Sequence, residues 1–269
     1  MKREYFMDPV LFSIGSFSLR WYGVMAALGF IVGLTIFQLN KKYAKLSSDQ
    51  ISNIVMLGMI SGVVGARIFY VIQNWSYYKA HPAAIIRVDQ GGLVFYGGFI
   101  LAFALVVLYV KKICKADVVR ALDAMAPALA GAHALGRLGC FFNGCCYGKP
   151  ADLWWAVVYP EKTDPFLRDG AMPLHPVQVY EAILNVILAV ILFVVLRKTK
   201  RGVTMASYIL AYGILRFVDE FFRGDHSDFV QGFTPAQVIG FGMIPAGIIL
   251  LIIFLRKPQV ETIENTVQK

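Results

Sequence analysis

Two arginines stand at the ends of long apolar segments, where an ionisable side chain is costly and marks a candidate functional site. Arg137 follows the apolar segment 118–136, and Arg216 lies near the end of the segment 203–218. A guanidinium is permanently charged and can bind two phosphate oxygens at once. The pair therefore favours a site for a phospholipid phosphodiester, and a buried ion pair that only orients helices is the alternative.

The apolar segment that carries Arg216 also carries a stripe of polar side chains. Tyr212, Arg216 and Glu220 are spaced by four residues, so they share one face of a helix, and Arg223 lies about one turn further on. This spacing predicts an ion pair between Arg216 and Glu220.

Glycine-rich sequence lies beside other polar candidates. The segment GRLGCFFNGCCYG (136–148) contains Asn143, and the segment QGGLVFYGGF (90–99) surrounds Tyr96 with two pairs of glycines. Glycine lets a backbone turn sharply or approach a ligand. Glycine also lets membrane helices pack closely, so substrate contact and helix packing are both open interpretations.

Three cysteines, Cys140, Cys145 and Cys146, offer a rival chemistry because clustered thiols can form disulfides, bind zinc or exchange electrons. They do not form a CxxC pair, and a zinc site would need a fourth ligand such as His175. Cys114 lies beside a loop on the opposite side of the membrane. We expect a structural disulfide or free packing thiols and no metal, with a membrane thiol–disulfide oxidoreductase as the alternative function.

The composition shows what kind of chain must position these residues. Of its 269 residues, 58% are hydrophobic and 16% are charged, whereas soluble domains have about 45–50% apolar and about 25% charged residues. This composition disfavours a soluble globular protein and excludes a disordered, collagen-like or disulfide-scaffold protein. The net charge of +9 is typical of the cytoplasmic loops of a membrane protein, so we expect no nucleic-acid partner.

The apolar segments predict an all-α membrane protein in which residues 1–269 form a single catalytic domain. Seven segments are long enough to cross a hydrocarbon core of about 30 Å. They are residues 21–39, 51–72, 92–110, 118–136, 178–196, 203–218 and 233–255, with a long outer loop at 140–177. Seven spans do not divide into two equal inverted repeats, which disfavours a transporter.

Basic residues occupy alternate connections between these segments, which fixes the predicted orientation. The basic clusters comprise Lys41, Lys42, Lys45, Lys111, Lys112, Lys115, Arg120, Arg197, Lys198, Lys200, Arg201, Arg256, Lys257 and Lys269. The positive-inside rule places them in the cytoplasm, with the N-terminus outside and the C-terminus inside. The ionisable candidates then lie near the outer interface: Tyr22, Arg67, Tyr96, Arg137, Glu181, Arg216 and Glu220. Their common depth favours chemistry on outer-leaflet lipid headgroups.

Six motifs, taken in order, resemble the prolipoprotein diacylglyceryl transferases of bacteria. They are RWYG (20–23), GAR (65–67), GGLVFYGG (91–98), GRLG…NG…G (136–148), LHPVQVYE (174–181) and YGILRFVDEFFR (212–223). The resemblance implies a seven-span enzyme of the bacterial plasma membrane. Such an enzyme moves the diacylglyceryl group of phosphatidylglycerol to the lipobox cysteine thiol of a preprolipoprotein signal peptide, and it releases glycerol phosphate without a cofactor.

The same resemblance assigns roles to individual residues. Arg137 and Arg216 handle the phosphate, and the remaining residues that line the site are Tyr22, Asn143, Tyr212 and Glu220. We also expect Gly98 and Arg67 to contact substrate. The chain departs from the family pattern at Tyr96, where many members have histidine, and at Cys140 and Cys145, where many have asparagine and glutamate.

The expected chemistry needs no nucleophile or metal from the enzyme itself. The peptide thiolate attacks an sp³ carbon of the phosphodiester, and negative charge grows on the leaving phosphate, where Arg137 and Arg216 would stabilise it. Tyr96 or Glu220 would accept the thiol proton, so both are candidate catalytic residues.

Overall fold

The computed structural model describes residues 9–15, 17–87, 91–161, 163–225 and 232–256. The described chain is mainly helical, as predicted. Its helices are α1 (Trp21–Leu39), α2 (Lys41–Ala44), α3 (Ser48–Gln73), α4 (Trp75–Ala80), α5 (Phe95–Leu108), α6 (Val118–Asn143), α7 (Asp164–Asp169), α8 (Val177–Lys198), α9 (Val203–Asp219) and α10 (Pro235–Arg256), with a 3₁₀ helix at Pro82–Ile86 and a π-helix at Tyr109–Ile113.

Five helices in the described ranges are long and apolar enough to cross a membrane. They are α1, α3, α5 with its π-helical continuation to Ile113, α8 and α10. Each coincides with a predicted span. The other two predicted spans are also helical, but α6 carries Arg120, Asp123 and Arg137, and α9 has only 17 residues. Length and composition therefore support five of the seven predicted spans.

Two features differ from the sequence-based expectation. Strands β1 (Val10–Ile14) and β2 (Phe17–Arg20) form an antiparallel hairpin ahead of α1, in which the hydroxyls of Ser13 and Ser18 lie 2.9 Å apart. Helix α6 continues to Asn143, well past the predicted end at residue 136, and Gly144 follows it with a φ of +70°. Arg137 therefore lies inside α6, and the helical backbone determines the direction in which its side chain leaves the helix.

The described chain forms two compact units, so the single-domain assignment stays a prediction. One unit comprises Phe37–Ala121, and the other comprises the described residues up to Ile36 and from Leu122 onward. In the Phe37–Ala121 unit, α3 and α5 touch through their backbones: a Cβ atom added to Gly98 would lie 2.5 Å from the carbonyl oxygen of Gly62. Such an approach is open only to glycine.

The unit that contains α6, α8 and α9 has a core of small and branched side chains. Buried Ala126 and Ala130 on α6 pack with Leu188 and Leu192 on α8, and Tyr212 of α9 packs against them. Beyond α6, the loop before α8 has its own core of Tyr147, Tyr159 and Leu174. A rigid frame therefore supports the residues at the end of α6 and the start of α8.

A buried carboxylate fixes the start of α9. Asp123 on α6 is 4% exposed, and it accepts hydrogen bonds from the backbone amides of Gly202 and Met205. The amides of a first helical turn have no intrahelical acceptor, and a negative charge there also complements the helix dipole. Asp123 therefore sets the position of α9 relative to α6.

We expect Asp123→Ala to lower the free energy of unfolding by about 1–3 kcal/mol, because the backbone amides of Gly202 and Met205 lose a charged acceptor. Thermal unfolding in detergent measures this loss. Asp152→Ala, at an exposed loop position, is the matched control and should leave the midpoint unchanged. Equal midpoints for both variants would contradict the role given to Asp123.

Candidate active site

A buried glutamate, Glu181 of α8, joins the two predicted arginines. Its side chain is 1% exposed, its Oε1 lies 2.9 Å from Nε of Arg137, and its Oε2 lies 4.0 Å from a terminal nitrogen of Arg216. The arginine side chains are 13% and 14% exposed. The structure therefore brings α6, α8 and α9 together at one charged cluster.

Arg216 also binds two carboxylates from its own helix end. One terminal nitrogen lies 2.8 Å from Oε2 of Glu220, and the other donates a hydrogen bond of 3.2 Å to Asp219. The ion pair predicted from the four-residue spacing of Arg216 and Glu220 is thus confirmed. Asp219 faces the same guanidinium from the i+3 position, so the cluster contains three carboxyl groups and two guanidinium groups.

Two aromatic rings complete the surroundings of Arg137. Nε of Arg137 donates to Nε2 of His133 at 3.0 Å, and the same His133 nitrogen lies 3.3 Å from Glu181. The ring of Tyr212 lies 5.3 Å from that of His133, and its side chain is within hydrogen-bonding reach of Arg137. Tyr212 therefore belongs to the charged cluster, and its predicted contact with substrate stays a prediction.

Tyr22 and Asn143 lie in the same unit as the arginines. Tyr22 is 49% exposed and begins α1 beside α6, where a Cβ atom added to Gly139 would lie 3.3 Å from its ring. Asn143 is the last residue of α6 and is partly buried. Their predicted substrate contacts stay predictions.

The other three predicted site residues, Arg67, Gly98 and Tyr96, lie in the Phe37–Ala121 unit. Tyr96, in the first turn of α5, is 47% exposed, whereas Gly98 is buried against α3. Arg67 is 8% exposed and donates hydrogen bonds to four backbone carbonyls, those of Ala84, Ile85, Gly91 and Gly92.

These contacts tie Arg67 to the glycine-rich segment that precedes Tyr96. Gly91 and Gly92 have φ angles of +81° and +74°, a region that favours glycine and lets both carbonyls point at one guanidinium. Arg67 thus fixes the path of the chain into α5. The predicted contact between Arg67 and substrate stays a prediction.

The three clustered cysteines adjoin Arg137 along the chain and are free thiols. Cys140 lies in the last turn of α6, and the Sγ atoms of Cys140, Cys145 and Cys146 all lie within 4.8 Å of one another. Hydrogen bonds from the other two thiols lower the pKa of Cys146 against the effect of burial, and the charges of Arg223 and Arg137 act in the same direction. Of the two expected arrangements, a structural disulfide or free packing thiols, the structure has the free thiols.

A hydrogen-bonded chain anchors the turn that holds these cysteines. The amide of Gln178 donates to the carbonyl of Cys145 at 2.7 Å, and the hydroxyl of Tyr159 donates to the Gln178 side chain at 3.0 Å. Burial raises the pKa of Tyr159, so this hydroxyl keeps its proton and acts as a donor. The loop before α8 therefore holds the end of α6 in place.

Sequence reasoning did not assign a role in the site to Glu181, His133 or Asp219. Glu181 was recognised only as an ionisable group near the outer interface. A signal was available, because two nearby buried guanidinium groups require an anion between them. His133 lies one helical turn before Arg137, and Asp219 lies three residues after Arg216. Both spacings bring side chains together on a helix.

The comparisons with known proteins agree with the motifs. Residues 9–253 match the family described as prolipoprotein diacylglyceryl transferase. Proteins named phosphatidylglycerol–prolipoprotein diacylglyceryl transferase from Geobacter sulfurreducens and Pasteurella multocida are 32% and 34% identical to the chain. These alignments cover 93% and 94% of this chain and 96% of each relative. The protein of the same name from Clostridium tetani is 35% identical, and the alignment covers 90% of this chain and 96% of that protein.

We expect Glu181→Gln to destabilise the protein by about 3–5 kcal/mol, because it removes the buried anion shared by two guanidinium groups. The thermal unfolding midpoint in detergent should fall accordingly. Glu161→Gln, at an exposed loop position, is the control and should unfold like the unchanged chain. An unchanged midpoint for Glu181→Gln would show that another group balances the two arginines.

Proposed function

The chain belongs to the prolipoprotein diacylglyceryl transferase family, and from this premise we propose that it moves the diacylglyceryl group of phosphatidylglycerol to a prolipoprotein. It is an enzyme, a transferase, and a multi-pass bacterial membrane protein. The single observation that carries this function is the match over residues 9–253. It is supported by the placement of Arg137 and Arg216 around one buried carboxylate. The relatives do not favour the thiol–disulfide oxidoreductase alternative.

For the topology, we propose seven spans, an external N-terminus and an active site that faces the outer leaflet. Helix α6, with 26 residues, has a length of about 39 Å, and α9, with 17 residues, has a length of about 25 Å. Both pack within a unit that also contains apolar α8 and α10. The basic clusters that follow α1 and α8 support a cytoplasmic location for those ends.

In the proposed reaction, the acceptor is the lipobox cysteine of the signal peptide. Its thiolate attacks the carbon of the diacylglyceryl group that bears the phosphate ester. A C–S bond forms and gives a thioether, and the bond between that carbon and the phosphate ester oxygen breaks. Glycerol phosphate leaves with the electron pair of that bond. Negative charge therefore grows on phosphate oxygens, and donors already positioned for that charge lower the barrier.

Arg137 and Arg216 are the proposed donors, although carboxylates surround them. The contact between Arg137 and Glu181 uses Nε of the arginine, so the planar guanidinium has two further nitrogens with which to bind phosphate oxygens. Arg216 is held from several sides by Glu181, Asp219 and Glu220. These carboxylates fix both guanidinium planes before substrate arrives, which is the preorganisation that the reaction requires.

The remaining predicted substrate contacts are proposed for each unit by itself. Tyr22, Asn143 and Tyr212 line the phosphate site in this proposal. Gly98 and Arg67 serve the glycine-rich segment before α5: Gly98 allows α5 to approach α3, and Arg67 orders the carbonyls of that segment. Arg67 is therefore proposed as a positioning residue.

The structure favours Tyr96 over Glu220 as the group that accepts the thiol proton. Glu220 is 4% exposed and its Oε2 lies 2.8 Å from Arg216, so its negative charge is already used in an ion pair. Tyr96 is 47% exposed on the first turn of α5, and its hydroxyl, which is uncharged as a phenol, forms no ion pair with the described residues. We propose that Tyr96 accepts the thiol proton as its phenolate, so that the peptide thiolate forms and the Tyr96 hydroxyl is restored.

A direct assay tests the function as a whole. The purified protein is incubated with phosphatidylglycerol and a synthetic lipobox peptide, and the peptide is analysed by mass spectrometry. We expect the peptide mass to increase by one diacylglyceryl group, and a peptide with serine in place of the lipobox cysteine to remain unmodified. A folded, membrane-inserted protein that never modifies the cysteine peptide would refute the proposal.

We expect Arg137→Lys and Arg216→Lys each to reduce the transfer rate by about 10²–10³-fold, because lysine keeps the charge but loses the planar fork of donors. Initial rates in the peptide assay measure the effect, and the elution profile confirms that each variant is folded. Arg256→Lys, at the exposed end of α10, is the matched control and should keep its rate. Normal rates in both site variants would rule out the phosphate role.

We expect Tyr96→Phe to lower the transfer rate on the order of 10²-fold while lipid binding is retained, because the ring still fills its place. The deficit should shrink as pH rises, since the peptide thiol then ionises without help. Rate–pH profiles measure this, with Tyr77→Phe, another exposed tyrosine of the same unit, as the control. An unchanged profile for Tyr96→Phe would leave this tyrosine with a packing role only.

A further inference from the structure

Three thiols meet at the end of α6, and neither the ion pairs of the charged cluster nor the proposed transfer reaction uses them. The Sγ atoms of Cys140, Cys145 and Cys146 lie within 4.8 Å of one another, and all three side chains are partly buried. A disulfide would join two of these sulfurs and leave the third unused. Convergence of three sulfurs is instead what a thiophilic metal ion requires.

The backbone around the cluster is arranged so that the three side chains converge. The amide of Cys145 donates to the carbonyl of Cys140 at 3.1 Å, which closes a turn at the helix end. Cys146 then adopts a φ of +62°, a left-handed conformation that is unfavourable for a residue with a side chain. Gln178 holds the turn through its hydrogen bond to Cys145.

We propose that Cys140, Cys145 and Cys146 form a binding site for one Zn²⁺ ion, coordinated by three thiolates and one water molecule. Binding releases three protons: three thiols and one hydrated Zn²⁺ give a complex with a net charge of −1. The guanidinium groups of Arg137 and Arg223 lie close enough to Cys146 to interact with that charge. No change in oxidation state is involved.

The sulfur spacing fits this coordination after a small adjustment. A Zn–S bond is about 2.3 Å long, so two sulfurs on a tetrahedral zinc ion lie about 3.8 Å apart. The observed separations, all within 4.8 Å, would close by about 1 Å or less. Small rotations of the cysteine side chains are sufficient, and the hydrogen-bonded turn can stay as it is.

The fourth coordination position is assigned to water because no further protein ligand joins the group. Over the part of the chain that the structure describes, the cluster of potential ligands consists of these three cysteines. His175, the fourth ligand considered from the sequence, has its Nδ1 3.2 Å from the hydroxyl of Tyr180 and its ring 5.6 Å from that of Phe222. Zinc sites with three protein ligands keep an open position for an exogenous ligand.

The test measures metal binding directly and does not depend on transfer activity. The full-length protein, purified in detergent with a non-thiol reductant, is equilibrated with Zn²⁺, desalted and analysed for metal. We expect about one Zn²⁺ per chain in the unchanged protein and in the control Cys114→Ser. Each of Cys140→Ser, Cys145→Ser and Cys146→Ser should weaken binding by more than about tenfold. Co²⁺ in place of Zn²⁺ should give a thiolate-to-cobalt charge-transfer band.

A second measurement on the unchanged protein guards against variants that fail to fold. Bound Zn²⁺ should slow alkylation of Cys140, Cys145 and Cys146 by N-ethylmaleimide, with Cys114 as the internal control, and a chelator should restore the rate. No metal retention together with no protection would overturn the proposal. Loss of two thiols without reductant, reversed by reductant, would assign the cluster to a disulfide instead. In either case the transferase proposal would still stand.

Discussion

The Glu181 carboxylate is the interaction on which the charged cluster depends. Two guanidinium groups in a poorly solvated place repel each other and each lose hydration, and both costs must be offset by an anion. Glu181, 1% exposed and in contact with Arg137 and Arg216, is the anion common to both. Because the three residues lie on α6, α8 and α9, the same contact also fixes how these helices meet. In this unit the ion pairs of the cluster and the packing of the three helices therefore depend on each other.

Close backbone packing plays the corresponding part in the Phe37–Ala121 unit. Gly98 of α5 meets Gly62 of α3 without intervening side chains, so these helices are held at a short distance. Arg67 of α3 then satisfies four carbonyls of the chain that leads into α5. Arg67 therefore fixes the backbone at these four carbonyls, and the exposed Tyr96 follows shortly after Gly92.

Patterns among residues that are close in the sequence predicted the structural features that depend on neighbouring residues. Apolar length located the helices, and the four-residue spacing predicted the pair Arg216–Glu220, because a helix brings such residues together. The contact between Arg137 and Glu181 joins residues far apart in the chain, so no spacing rule could predict it. The same limit applies to the four carbonyls around Arg67. The extension of α6 to Asn143 was missed because glycines suggested a turn where Gly139 instead packs against α1.

The balance of charge in the cluster bears on both substrate binding and product release. Glu181, Asp219 and Glu220 each lie within 4.0 Å of a guanidinium nitrogen, so much of the positive charge of the two arginines is balanced inside the cluster and the site does not present a large positive field to every anion. A phosphodiester carries one negative charge and can be held by the remaining guanidinium donors. In the proposed reaction the released phosphate monoester carries about −1.5 to −2 charges at neutral pH, so neighbouring carboxylate charge opposes its binding more than it opposes binding of the diester. In the proposed function the acidic side chains therefore orient the arginines before reaction and oppose retention of the more highly charged product.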